Sequence, residues 1–279
     1  MVEPILRVED VSKSYGRRRG LFSGAAAAIR PSLSKANFDL MPGEILGIVG
    51  ESGSGKTTLA RCIALLERPD TGRVIFKGED LVSLTDKELR SRRRAIQTVF
   101  QDPYASLNPR IKIGDALAEV MLVHRLARPD QVRQRVHELL DQVGLPSRAA
   151  NDYPAAFSGG QRQRICIARA LAAEPEILIA DEPVSSLDVS VQAQVVNLLL
   201  DLRHRLSLSI IFIGHDLHLI DFLAQRIVVM LAGEIVETVA PDSSIADAKH
   251  TYTRALMDAV PSLDKLSTLR GPKTKQEIL

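Results

Sequence analysis

The stretch EILGIVGESGSGKTTLARCIALL, residues 44–66, decides the fold of this chain. Its apolar beginning predicts a buried strand, and its end carries an apolar stripe at the i, i+3, i+4, i+7 spacing of a packed helix. The stripe consists of Leu59, Cys62, Ile63 and Leu66. Between strand and helix, GESGSGKT at 50–57 fits the pattern Gly-x-x-x-x-Gly-Lys-Thr, whose glycines let successive N–H groups point at phosphate oxygens. The stretch therefore predicts a strand, a phosphate-binding loop and a helix, in that order.

This loop and the residue after it are the first candidate binding site, for the phosphates of a nucleotide. The expected binding residues are Gly50, Glu51, Ser52, Gly53, Ser54, Gly55, Lys56, Thr57 and Thr58. Lys56 supplies a positive charge for the β- and γ-phosphates, and the Thr57 hydroxyl is suited to ligate Mg²⁺. A glycine-rich surface turn is the alternative, and the flanking strand and helix disfavour it because an anion site needs both.

A second group of candidates stands at the end of the strand ILIADEP, residues 177–183. Ligands of open parallel sheets bind beyond the carboxyl ends of the strands, which is also where the phosphate loop lies. We therefore expect Asp181 to hold Mg²⁺ and Glu182 to orient or deprotonate the attacking water. Two solvated acids at a strand end are the alternative for such a pair.

His215 and Gln101 follow two other predicted strands, SIIFIG at 209–214 and AIQTVFQ at 95–101. Both side chains should lie on the same edge of the sheet as the phosphate loop. His215 is suited to hydrogen-bond the γ-phosphate, and Gln101 to touch Mg²⁺ or water at the point where the chain becomes helical.

Composition excludes several classes for this chain of 279 residues. Its 45% hydrophobic and 25% charged residues are typical of globular proteins, whereas a formal charge of +2 and 4% aromatic residues disfavour a nucleic-acid binder. The only cysteines, Cys62 and Cys166, fall in apolar helical patterns and are interpreted as core thiols. The segment MVEPILRVED has no basic n-region of a secretory signal, and no apolar run approaches the ~20 residues that span a bilayer.

The order of patterns along the chain indicates how it is organised. Strand signals precede and follow the phosphate loop, with a Gly/Ala-rich loop insertion at 20–31, and helical periodicity runs over about 113–143. Beyond Tyr153, apolar strands alternate with amphipathic helices, which predicts a parallel sheet covered on both faces. These features favour an α/β core carrying an inserted helical subdomain.

The segment FSGGQRQRICIARAL, residues 157–171, predicts a second anion site. Ser158 can cap a helix whose apolar stripe includes Ile165 and Ala168, leaving N–H groups free for an anion. The segment resembles the signature motif of ABC ATPases. In that family two cassettes pair head to tail, which implies that Ser158, Gly159, Gly160 and Gln161 close over the ATP held by a partner.

The resemblance covers nearly the whole chain and implies further roles. Tyr15 is similar to the aromatic residue that stacks on adenine, Gln101 to the Q-loop, and His215 to the switch histidine; SSLD at 185–188, with Asp188, is similar to the D-loop. The implied fold is a P-loop NTPase (RecA-like) core with a mainly parallel sheet, an N-terminal antiparallel β subdomain, an inserted α-helical subdomain and a short C-terminal extension. The expected boundaries are 1–237 for the cassette, about 102–157 for the insertion, and 238–279 for the extension.

Two segments resemble the peptide/nickel-type importer ATPases of bacteria: QDPYASLNPR at 101–110 and HTYTRALMDAVP at 250–261. This implies a cassette at the cytoplasmic face of the bacterial inner membrane, with a second cassette, two permease subunits and a periplasmic binding protein as partners. No iron–sulfur cluster is expected, because no cysteine follows Cys166. Thr251 stands where the family has proline, and Phe157, the SSLD segment and Gly214 are milder departures.

Several functions remain open. Peptides lead as the cargo, with nickel, opines or oligosaccharides as alternatives in the same group. Non-transport ABC ATPases of DNA repair or translation are a different class, disfavoured because the chain has neither a long coiled coil nor a second cassette. A non-catalytic scaffold would be expected to lack Glu182 or His215, and both are present.

Overall fold

The computed structural model describes residues 3–15, 31–240 and 245–259 of the chain. Most of the expected loop insertion at 20–31 and of the tail beyond 259 therefore lies outside the described residues. Among the described residues, no helix is both long and apolar enough to cross a bilayer.

Ten strands and nine α-helices form within these ranges. The strands are β1 (Leu6–Lys13), β2 (Leu33–Leu40), β3 (Ile45–Val49), β4 (Thr71–Phe76), β5 (Glu79–Asp80), β6 (Ile96–Val99), β7 (Ile177–Asp181), β8 (Ser209–Gly214), β9 (Arg226–Leu231) and β10 (Glu234–Val239). The helices are α1 (Lys56–Ile63), α2 (Asp86–Arg93), α3 (Pro103–Ser106), α4 (Ile113–Val123), α5 (Val132–Gln142), α6 (Gly159–Leu171), α7 (Val189–Leu206), α8 (Leu217–Leu223) and α9 (Thr251–Ala259).

The main sheet has the described strand order β10-β9-β3-β8-β7-β6, and every pair is parallel except β10 with β9. Both of its faces are buried, since Leu178 and Ala180 of β7 pack into one apolar core while Ile177 and Ile179 pack into the other. Because the strands are parallel, the carboxyl ends of β3, β7 and β8 meet at one edge. The predicted mainly parallel sheet is confirmed.

A second, antiparallel sheet follows the order β2-β1-β4-β5. Its inner face shares a core with α1, in which Val8 and Val74 of the small sheet join Leu59 and Ile63 of the helix. The expected antiparallel β subdomain is therefore present, and it covers the helix that begins at the phosphate loop.

The helical insertion lies between β6 and α6. The helical periodicity over about 113–143 corresponds to two helices: Leu117 and Met121 of α4 are buried, and so are Val136 and Leu140 of α5. Val120 and His124 of α4 are only partly buried because they line a groove against Phe100 and Cys166.

Two local features differ from the sequence interpretation. Helix α1 ends at Ile63, and Leu65 turns into the left-handed region (φ 50°), which buries Leu65 and leaves Leu66, expected in the stripe, 51% exposed. Helices α2 and α8 were not predicted; α2 is largely charged, and its start is marked by a capping box of Thr85 and Glu88.

Both thiols are buried, as the sequence indicated. Burial raises the pKa of Cys62 to about 11 and that of Cys166 to about 12. The two cysteines are therefore protonated core residues at neutral pH.

Candidate nucleotide site

The loop between β3 and α1 depends on glycine at defined positions. Gly50, Gly53 and Gly55 have φ of 154°, 81° and 102°, values that residues with a Cβ rarely adopt. A Cβ at Gly50 would collide with the Met230 carbonyl, and one at Gly55 with the Ser32 carbonyl. The loop therefore curls tightly against β9 and the start of β2.

Lys56 lies inside this curl, only 6% exposed. Its ammonium donates to the carbonyl oxygens of Gly50 at 2.7 Å and Glu51 at 2.9 Å. Burial lowers the pKa of Lys56, and the negative charges of Glu182 and Asp181 oppose this effect. Lys56 is thus a buried cation near two acids, and its positive charge can attract an incoming phosphate.

The donors around Lys56 complete an anion site. Gly55 is the N-cap residue of helix α1 and has no side chain that could cap it. The first N–H groups of the helix are therefore available to a ligand. The buried Ser54 hydroxyl has no hydrogen-bond partner among the described residues. An anion at this helix N-terminus would satisfy groups that the chain itself leaves unpaired.

Thr57, Gln101 and Asp181, the three candidates for a metal, line one cavity. Asp181 is 5% exposed, and its Oδ1 has no hydrogen-bond partner among the described residues. Burial raises the pKa of the Asp181 carboxyl, while the Thr57 hydroxyl beside it opposes the rise. A divalent cation bound here would satisfy the buried oxygen, so hydroxyl, amide and carboxylate form a donor set that Mg²⁺ fits.

Glu182 is the centre of a polar cluster next to this cavity. Its backbone has φ 47°, an uncommon value for a non-glycine residue, and holds the carboxylate beyond the end of β7. Glu182 Oε2 accepts a hydrogen bond from Gln101 Nε2 at 2.9 Å and lies 3.6 Å from His215 Nδ1. The ends of β6, β7 and β8 thus bring three sequence-predicted residues together.

The segment Ser158–Gln161 forms the predicted helix N-terminus. Ser158 Oγ accepts from the Gln161 N–H at 3.3 Å, and Gln161 Oε1 accepts from the Ser158 N–H at 3.0 Å, so a reciprocal capping box starts α6. A Cβ at Gly160 would collide with Val191 of α7, whereas Gly159 has room for one in ordinary contact with Leu187.

Among the described residues, the segment 158–161 is not part of the polar network around the phosphate loop. Both Ser158 and Gln161 are exposed, and no hydrogen bond or ion pair within the described ranges joins Ser158–Gln161 to residues 50–57. Asp188, the N-cap residue of α7, is also exposed and does not cap its helix with its side chain. The chain therefore carries two separate groups of candidate residues.

Tyr15 lies beside the phosphate loop at the edge of the small sheet, 52% exposed. Its hydroxyl donates to Glu67, which also accepts from Arg61 at 3.2 Å. Burial and the Glu67 carboxylate raise the pKa of the Tyr15 phenol, with Thr58 acting in the opposite direction. The ring is thus held with part of its surface open to a planar ligand.

The sequence interpretation missed three residues of this region. Glu67 holds Tyr15; Ser185 Oγ accepts from Gln101 at 3.4 Å; and the Tyr252 hydroxyl accepts from the Glu51 N–H at 3.1 Å. Ser185 belongs to the segment SSLD at 185–188, for which only Asp188 was singled out. No local sequence pattern links Glu67 to Tyr15, or Tyr252 to the phosphate loop.

The glycine loop, the buried lysine and the acids at the neighbouring strand end together define a P-loop NTPase. A family model described as ABC transporter matches residues 33–185, and this chain belongs to the ABC transporter family as an ATP-binding, ATP-hydrolysing subunit.

Curated relatives extend the match over nearly the whole chain. A putative peptide import ATP-binding protein of Brucella ovis is 45% identical over 276 residues, covering 99% of this chain and 83% of the relative. The glutathione import ATP-binding protein GsiA of Salmonella paratyphi A is 45% identical over 262 residues, covering 94% of this chain and 42% of that protein.

Solved structures show the same fold. The ATP-binding cassette MJ0796, a dimer in a post-hydrolysis state bound to ADP and Pi, is 31% identical with a TM-score of 0.73, covering 84% of this chain and 98% of that chain. The cbiO1 protein of Clostridium perfringens, part of the ABC transporter complex cbiONQ, is 25% identical with a TM-score of 0.75, covering 95% and 99% respectively.

Proposed function

We propose that this chain powers the import of di- or oligopeptides across the bacterial inner membrane, from its cytoplasmic face. The observation that carries the proposal is the 45% identity, over 99% of the chain, to proteins named for peptide import. The relative named for glutathione, itself a tripeptide, supports the same class of cargo.

Glu182 is the residue we assign to water activation. Its carboxylate is held by Gln101 on one side and faces His215 on the other. A water bound between Glu182 and the γ-phosphate would be oriented by the carboxylate, which can accept its proton. As the water oxygen bonds to the γ-phosphorus, the bond from that phosphorus to the β–γ bridging oxygen breaks, and ADP leaves with this oxygen. His215, 63% exposed at its side chain, is free to turn and hydrogen-bond the γ-phosphate, as a sensor of its presence.

Lys56 is the residue we assign to the β- and γ-phosphates. In the structure its three donor positions are partly used by the Gly50 and Glu51 carbonyls. Phosphate oxygens compete for the same ammonium as stronger, charged acceptors. The N–H groups at the start of α1, which no side chain caps, surround the same anion, while the Tyr15 ring packs on the adenine.

Magnesium is assigned to Thr57, Gln101 and Asp181, on the strength of their shared cavity and the unpaired buried Asp181 Oδ1. When bound, Mg²⁺ would supply positive charge to the phosphate oxygens during the transfer. Gln101 touches both this cavity and Glu182, so it can report on the state of the site to the insertion that begins directly after it.

The partner in hydrolysis is a second cassette, identical or paralogous, in a head-to-tail dimer. The support for this is the N-terminus of α6, where Ser158 and Gln161 are exposed and no hydrogen bond or ion pair among the described residues joins them to residues 50–57. Residues 158–161 and Asp188 then complete the partner's ATP site. A neighbour of 31% identity is a dimer of cassettes, which supports the arrangement.

The membrane partners are two permease subunits, fed by a periplasmic binding protein. A groove between the α/β core and the insertion carries exposed apolar side chains, with Leu66 51%, Phe100 39% and Val123 66% exposed. A short cytoplasmic helix of a permease could bury these side chains and sense movement of Gln101. The proposal includes no nucleic-acid partner and no iron–sulfur cluster.

The test is ATP hydrolysis by the complex that this chain forms with its permease subunits and a second cassette. With the binding protein present, di- and pentapeptides should raise the hydrolysis rate, whereas nickel and oligosaccharides should leave it unchanged. Stimulation by nickel or a sugar alone would overturn the peptide assignment. If the assembled complex hydrolysed no ATP, the assignment of ATP hydrolysis to this chain would be overturned.

A further inference from the structure

The C-terminal helix α9 reaches the phosphate loop, although nearly two hundred residues separate them in sequence. Its Tyr252 hydroxyl accepts a hydrogen bond from the Glu51 N–H at 3.1 Å. The tyrosine ring, with Leu256 and Met257, packs against the main apolar core, so the hydroxyl is presented by a docked helix. The contact joins the C-terminal extension directly to the nucleotide site.

A carboxylate fixes the start of α9. Glu237 on β10 accepts hydrogen bonds from the backbone N–H groups of Lys249, at 2.6 Å, and His250, at 3.2 Å. The His250 imidazole in turn accepts from the Tyr252 N–H at 3.2 Å. Burial would raise the pKa of Glu237, but the hydrogen bonds it accepts outweigh burial and lower that pKa, so it is ionised at neutral pH.

The strands that carry Glu237 also support the loop. The Gly233 N–H, in the turn between β9 and β10, donates to the Ser54 carbonyl at 3.0 Å, and Gly50 packs against the Met230 carbonyl. The phosphate loop therefore contacts the β9–β10 hairpin, and the hairpin holds α9 through Glu237. Helix α9 contacts the loop in turn through Tyr252.

The Glu51 residue is held from two sides. Lys56 donates to its carbonyl oxygen at 2.9 Å from inside the loop, while Tyr252 accepts from its N–H outside. If Lys56 turns to bind phosphate, the Glu51 carbonyl keeps only the backbone contact from the Ser54 N–H at 3.1 Å, and the contact of the Glu51 N–H with Tyr252 remains. Tyr252 is then the side chain that keeps this peptide in place while nucleotide enters.

We propose that Tyr252 is a positioning residue for the phosphate loop, and that through it the C-terminal extension sets the affinity for nucleotide. The inference rests on the proposed ATPase function. It assigns to α9 a task at the nucleotide site of its own chain.

The test is the Tyr252→Phe variant of the full chain, which keeps the ring and removes only the acceptor oxygen. One hydrogen bond lost corresponds to about a two- to tenfold weaker ATP affinity. We expect the dissociation constant for ATP to rise by that factor, and KM for ATP in the assembled complex to rise with it while kcat stays within about twofold. Tyr153→Phe is the matched control, since no hydrogen bond of its hydroxyl is found among the described residues.

A second variant separates positioning from general stability. Glu237→Ala frees the start of α9 with Tyr252 intact, and should also raise KM. Both substitutions weaken the same contact, between Tyr252 and Glu51. The double variant should therefore bind ATP as tightly as Glu237→Ala alone. The inference would be overturned if the two substitutions reduced the affinity for ATP additively, or if Tyr252→Phe left that affinity unchanged. A wild-type chain that binds no ATP would instead overturn the proposed function.

Discussion

The N-termini of α1 and α6 are the two candidate anion sites of this chain, and they are capped differently. At α1 the N-cap is Gly55, the cation Lys56 is buried within the loop, and Asp181 and Glu182 stand nearby. At α6 the N-cap is Ser158, secured by a capping box and exposed to solvent. In the proposed function the first helps to bind the nucleotide of its own chain, and the second faces the nucleotide of a partner cassette.

This difference is the basis for proposing that one chain carries the groups of an ATP site without closing that site alone. The donors, the cation and the acids at the α1 edge are the groups that we assign to ATP and magnesium. The N-terminus of α6, where Gly160 packs closely on Val191, is the surface that we assign to the nucleotide of a partner.

The largest effect is expected from Glu182→Gln, which keeps the hydrogen bond to Gln101 possible but removes the basic oxygen. The hydrolysis rate of the assembled complex should fall about 10²–10⁴-fold, the usual contribution of a positioned base. ATP binding should be retained, because the phosphate contacts come from the loop. Glu138→Gln on α5 is the exposed control, and near-normal turnover of Glu182→Gln would remove Glu182 from its role.

Lys56→Ala should act on affinity and turnover together. The buried ammonium is a charged donor, so its loss should weaken ATP binding by about 10- to 100-fold. Equilibrium binding of ATP to the full chain measures this, with the exposed Lys87→Ala as control. An unchanged ATP affinity would contradict the phosphate assignment.

Gly160→Ala tests the support of the other helix tip. The added methyl group would meet the Val191 side chain and should lower the free energy of unfolding by about 1–3 kcal/mol. Gly159→Ala is the matched control, because its Cβ would make an ordinary contact 3.4 Å from Leu187. Chemical denaturation compares the two, and equal stability of the two variants would show that α6 does not depend on close packing here.

The parts of the site that could be predicted are those specified by nearby sequence. Glycines at Gly50 and Gly55 dictate the loop locally, Ser158 and Gln161 cap their helix within one turn, and strand ends place Glu182. Parallel pairing then brings the ends together, which is why the Glu182 cluster follows from strand positions alone.

The parts that could not be predicted depend on distant packing. The exposed position of Leu66 results from a left-handed turn at Leu65, which the helical stripe did not indicate. The contact of Tyr252 with Glu51 joins segments whose separation no periodicity can bridge. The short helix α8 has too few residues for a recognisable stripe.

In the dimer that we propose, the N-terminus of α6 in one cassette completes the nucleotide site of the other, and a Ser158→Arg variant probes this arrangement. Paired in the assembled complex with an unmodified, differently tagged cassette, its arginine should obstruct the facing site. Photolabelling with an azido-ATP analogue then reports the occupancy of each chain separately. We predict that labelling of the unmodified partner falls at least about tenfold while labelling of the variant chain stays within about twofold; loss confined to the variant chain itself would contradict the account.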